Sequence, residues 1–215
     1  MTAIKNRLSV KQRIVDAAIH QFAQKGAIGA SFASIANDIG MSKQALMHHF
    51  PTKSILKSAA IAETIDKSRV VMPKIVALLL SKDPTTELRI LEDLLDNDLE
   101  NTDWAVFLLK EALSDGNSLL SKEMMDWCQF IIQEMNKAVK AGILKPDLDT
   151  EAALANVSLM TLGVLATLDN PTTANFGHQN TLKSWQLRKL KELARMIRSG
   201  CLNSLTMEPV LTQQP

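Results

Sequence analysis

The chain has 215 residues, 46% hydrophobic and 22% charged, with eight Gly and seven Pro. That much apolar material can offset chain entropy, which excludes wholesale disorder and a collagen-like repeat. A net charge of +1 hides an uneven split: residues 1–57 hold eight bases against two acids, a surplus of +6, while the rest carries −5. A basic head on an acidic body is the pattern of a nucleic-acid-binding module joined to a different domain. The absence of Tyr and the abundance of Ala, Leu, Ile, Met, Lys, Glu and Gln favour helix over sheet, so an all-α fold is expected. Cys128 and Cys201 lack metal-ligand spacing and suit a reducing cytosol. No run approaches the roughly 18 apolar residues of a membrane span, and the N-terminus lacks a secretory core. Cytoplasmic localisation is expected.

Ser9-Val10-Lys11-Gln12 has the form of a capping box and opens a first helix with Ile14, Ala18 and Phe22 on one stripe, stopping near Gly26. Ser31 caps a short second helix carrying Phe32, Ile35, Ala36 and Ile39, and Gly40 supplies the left-handed turn that ends it. Ser42 caps a third helix reaching Phe50. A fourth is predicted from Thr52 to Val71, before Pro73. Asp83-Pro84 starts a fifth, since proline suits the first helical position. A sixth covers Asp103–Leu113, a seventh Leu119–Ala141, an eighth follows Asp149 to Leu168, and a ninth spans Thr181–Ser199. The remainder reads as a loop at 170–180 and a flexible tail at 200–215.

Helices two and three are short and joined only by Ile39-Gly40-Met41-Ser42, which is helix-turn-helix spacing. On a helical wheel Leu46 and Phe50 face inward behind Met41, while Lys43, Gln44, Met47 and His48 face outward. Such a helix can lie in the major groove, where Gln pairs with adenine and Lys donates to guanine. His49 lies beside the apolar stripe and reads as a packing residue. His48-His49 is a poor metal site, because adjacent helical side chains diverge and no third ligand is near in sequence.

The stretch from Gly26 through Ser31–Lys53 resembles the DNA-binding segment of the tetracycline-repressor (TetR) family. Ser31, Ile35, Ala36, Gly40, Ser42, Leu46, His49, Phe50, Lys53 and Leu56 carry the resemblance. Met41 replaces the family's usual Val. Met47 stands where the family usually has a phosphate-bonding Tyr; a thioether cannot donate, so either His48 bonds that phosphate or no side chain does. The resemblance implies a helix-turn-helix domain at 1–57 and an effector-binding and dimerisation domain at 58–199. It also implies DNA contacts from Ser31, Ser42, Lys43, Gln44, Ala45, Met47, His48 and Lys53. Of these, Ser31, Ser42 and Lys53 are expected at phosphates, with Lys43, Gln44 and Ala45 at bases.

In the body, Trp104, Phe107, Leu108 and Glu111 share one face of the sixth helix. Leu120, Met124, Trp127, Cys128, Ile131 and Met135 share one face of the seventh. Two readings are open: the core of a bundle, or a Met-bearing cavity for an apolar or amphipathic effector with Glu111 as counter-charge. Cys128 sits among apolar neighbours and is a poor candidate for a redox sensor. The eighth helix is rich in small residues and the ninth adds Leu187, Leu190, Leu193, Ala194 and Ile197. Arg188, Lys191, Arg195 and Arg198 are read as its solvated face. The resemblance implies a homodimer through helices near 150–168 and 181–199, bound to a palindromic operator on double-stranded DNA. The expected function is a repressor released by a small effector. The alternative is a DNA-bound protein of the same fold that recruits a protein partner and has no such effector. No cofactor, metal or catalytic set is implied, and no membrane association.

Overall fold

A computed structural model of the chain describes residues 9–99, 101–114, 122–168 and 182–203. Among the described residues there are nine helices and no strand, only one isolated antiparallel bridge, Leu144 with Leu202. The all-α expectation holds. The first three helices are α1 (Val10–Gly29), α2 (Phe32–Asp38) and α3 (Lys43–His49).

Each starts at a serine, because a hydroxyl oxygen can accept one of the amides that a helix start leaves without a partner. Ser9 Oγ accepts from Gln12 N at 3.1 Å and Ser42 Oγ from Ala45 N at 3.1 Å. Ser31 does more: its Oγ accepts from Ser34 N while Ser34 Oγ accepts from Ser31 N, a reciprocal box built with Ser where Glu or Gln is usual. The first helix breaks near Gly26 as expected: the backbone leaves helical geometry there (φ 72°) before one further helical turn to Gly29.

Helix α4 (Lys53–Leu80) corrects the expected stop at Val71, because Pro73 lies inside it. Proline removes one amide from the ladder, yet Val71 before it and Leu78 after it are both buried, and that packing outweighs the local preference. Helix α5 (Pro84–Asp93) begins as expected, with Asp83 accepting from Thr85 N and Thr86 N. It continues into a π-helical turn, Leu94–Asp98, closed by Leu99 N on Leu94 O at 2.8 Å. Lys74 of α4 staples this turn by pairing with Asp93 at 2.6 Å and with Asp98. Both contacts hold its ammonium above the ordinary lysine value.

The remaining helices are α6 (Asp103–Leu113), α7 (Lys122–Lys140), α8 (Thr150–Ala166) and α9 (Leu182–Cys201). The expected first residues of the seventh helix, Leu119 to Ser121, and the expected loop at 170–180 lie outside the described residues. Of the expected tail, Gly200 and Cys201 belong to α9 and Leu202 makes the bridge, while 204–215 lie outside the described residues.

The chain divides into two compact units, one of residues 1–69 with 101–125, the other of 70–100 with 126–215. Helix α6 therefore belongs with the basic head. Its pairing with α1 is the most extensive between two helices, and Phe107 stacks on Phe22 with ring centroids 5.3 Å apart. Ile14, Ala18 and Phe22 of α1, Ile35 of α2 and Leu46 of α3 are all fully buried in this unit. In the second unit α9 packs on α8 and α5 through Leu190, Leu193, Ala194 and Ile197.

Candidate nucleic-acid interface

Helix α3 has seven residues and a single fully buried one, Leu46; Phe50, its C-cap, is buried just beyond. Lys43, Gln44, Ala45, Met47 and His48 are all exposed, and Ser42 with them. Five side chains of one short helix thus point to solvent in a set that can donate, accept or touch a methyl group, which is what reading base edges requires. His49 is half-buried and meets the His48 ring edge to face at 5.9 Å, as a boundary residue would. Gly40, with φ 68°, makes the turn between α2 and α3. A Cβ there would meet nothing within 4 Å, so backbone conformation alone favours glycine.

The neighbouring helices hold this pair in place. Lys53 Nζ donates to the carbonyls of Ile28 at 3.0 Å and Ala30 at 2.9 Å, so the expected phosphate clamp also closes the link between α1 and α2. Ser31 is exposed at the start of α2 with its oxygen engaged in the capping box. Lys110 of α6 reaches the carbonyls of Ala23 at 2.5 Å and Gln24 at 3.0 Å. His20 of α1 pairs with Asp103 at 2.7 Å. On α1 itself, Arg13 donates to Ile39 O at 3.0 Å and Gln21 to Asp38 at 2.5 Å. Neither Arg13 nor Gln21 is an outward residue of a recognition helix, and the sequence pattern points only to that helix.

Residues 14–60 match the model of the family described as bacterial regulatory proteins, tetR family. Over those residues the chain is a TetR-type DNA-binding domain. The HTH-type transcriptional regulatory protein RaaS of Mycobacterium tuberculosis is 30% identical over 151 residues, 67% of this chain and 64% of the relative. The match thus takes in less than two thirds of that relative's length. The uncharacterized HTH-type transcriptional regulator YerO of Bacillus subtilis is 25% identical over 215 residues, 95% of this chain and 71% of the relative. A crystal structure of a transcriptional regulator from Rhodococcus sp. Rha1 shares the fold with a TM-score of 0.57 at 22% identity, covering 90% of this chain and 98% of that one.

The expected effector residues fall into two groups. Trp104, Phe107, Leu108 and Glu111 are all buried on α6, where the ring of Phe107 packs on α1. Glu111 already has a counter-charge, Lys57 Nζ at 3.3 Å. These four side chains fill the core of the first unit. On α7, by contrast, Trp127, Cys128, Ile131 and Met135 are only half-buried, and no described residue of that helix is fully buried. Trp127 stacks on the exposed Phe130 at 5.6 Å. Burial raises the Cys128 thiol above its ordinary value, which reduces thiolate at neutral pH and argues against redox sensing. Met124 lies in α7, but its side chain, like Leu120, is outside the described residues.

Helices α8 and α9 carry the other feature. Helix α8 is rich in apolar residues, yet only Thr150 and Leu165 in it are buried. A groove of about 810 Å³ runs along α8 and α9, lined by Met160, Val164, Trp185, Leu193 and Met196. Arg198 corrects the reading of a wholly solvated basic face: it pairs with Glu87 at 2.8 Å and donates to the carbonyls of Leu78 and Leu79.

Proposed function

We propose that this chain is a DNA-binding transcriptional regulator of the TetR family, acting as a homodimeric repressor on a palindromic operator. What carries the reading is α3, whose anchor Leu46 is fully buried while Lys43, Gln44, Ala45, Met47 and His48 stay outside. Lys43, Gln44 and Ala45 read bases; Ser31, Ser42, His48 and Lys53 hold phosphates, and Met47 offers apolar contact to a thymine methyl. One helix of seven residues reads few base pairs, so two copies are needed to address a site. The α8–α9 face supports the pairing, because a helix whose apolar residues stay largely unburied needs cover that the single chain does not give it.

The half-buried stripe of Trp127, Cys128 and Ile131 supports an apolar or amphipathic effector that releases the DNA. A cationic effector is disfavoured at Glu111, whose charge Lys57 already meets. The test is selection from random duplexes in dilute buffer. An inverted repeat with half-sites one or more helical turns apart is the expected product, and the absence of any enriched sequence overturns the proposal.

A further inference from the structure

The turn between α2 and α3 has its amides directed inward: Ile39 N and Met41 N donate to Ala36 O, and Gly40 N to Asn37 O. These bonds shape the turn but do not tie it to the helix beneath. Two groups on its other side do that. The carbonyl of Ile39 accepts from Arg13 Nη2 at 3.0 Å, and the carboxylate of Asp38 accepts from Gln21 Nε2 at 2.5 Å. Arg13, Ala17 and Gln21 recur every four residues and so form one row along α1. Ala17 between them is buried and has only a methyl group.

We propose that Arg13 and Gln21 are positioning residues for the recognition helix: the row they form on α1 sets the angle at which α3 leaves the turn, and with it sequence discrimination. The inference rests on the DNA-binding reading above. Burial of Ile35, Ala36 and Leu46 holds the helices together, but apolar contact is non-directional. Hydrogen bonds are directional, and paired contacts to a base edge tolerate little misalignment. Gln21 is committed to this task at a cost. Its amide is buried with the nitrogen turned to Asp38, while Oε1 finds no partner, an arrangement that persists only because the carboxylate demands a donor.

The test compares wild type, Gln21→Met, Arg13→Ala and Arg13→Lys on the selected operator and on an unrelated duplex, across a salt series. Gln21→Met alters no charge and keeps the volume, so phosphate attraction is untouched. Operator affinity is expected to fall about tenfold while affinity for the unrelated duplex and the salt slope stay as they were. Arg13→Ala is expected to lower the ratio of the two affinities similarly, with Arg13→Lys recovering part of it, since an ammonium can still reach a carbonyl. Because Arg13 is exposed, its variants stay folded even if Gln21→Met does not. An unchanged ratio in both variants overturns the inference. So does an equal loss on both duplexes with a slope shallower by about one ion, which makes Arg13 a plain phosphate contact. In either case a wild type that still selects its operator leaves the functional reading standing; a wild type indifferent to every duplex overturns both.

Discussion

The basic head and the α8–α9 face solve the same packing problem in opposite ways. The head combines four helices, α1, α2, α3 and α6, with the start of α4, so that one apolar stripe from each meets in a closed core. Helix α8 leaves most of its apolar residues short of full burial, and the groove beside α9 stays open to solvent. A region that completes its own core can give its surface to recognition. A region that does not is open to cover, and in the homodimer proposed above a twofold-related copy would supply it with no added sequence.

Substitutions can break that contrast. Leu46→Ala removes the anchor of α3 and should cost about 2–5 kcal/mol of stability, independent of protein concentration, in chemical denaturation. If the loss depended on concentration, the head would not be self-contained. Met196→Glu, at an exposed position in the groove, should leave the single chain folded yet weaken self-association by about 2 kcal/mol or more in sedimentation. A dimer unaffected by it would place the pairing elsewhere. Lys43→Ala and Gln44→Ala should each reduce discrimination between operator and random DNA by about 1–3 kcal/mol, with thermal stability unchanged.

The smallest effect is a pH dependence at a helix start. The hydroxyl and amide of Thr86, with the amide of Thr85, hold the Asp83 carboxyl below its ordinary 3.8. A depressed acid contributes stability that is complete above the ordinary value and is lost as pH falls through the lowered one. Melting temperature should therefore drop on acidification below about pH 4, and drop less in Asp83→Ala. An identical acid profile in the two proteins would remove the cap from the account.

The starts of the helices are legible in the sequence because capping is local: Ser9, Ser31, Ser42, Asp83 and Asp149 each satisfy amides within three residues. The recognition helix is legible for the same reason, since four-residue spacing separates Leu46 and Phe50 from the outward set. Pro73 misleads because its stopping power is local while the packing that overrides it is not. Arg198 and Glu111 escape a local reading because their partners are distant: Glu87 lies 111 positions from Arg198, and Lys57 lies 54 from Glu111. The π turn at Leu94–Asp98 leaves no pattern, because its anchor is a lysine on another helix.

Helix α6 touches α1 through three different chemistries on two successive turns: the Asp103 carboxylate on His20, the Phe107 ring on Phe22, and the Lys110 ammonium on two carbonyls beside Gly26. Contacts of unlike kind have unlike ranges, yet a rod sliding along its neighbour strains all of them together. Such a joint yields by jumping between registers and resists creeping between them. Under the proposed function, a displacement of α6 would therefore reach the recognition helix as a click.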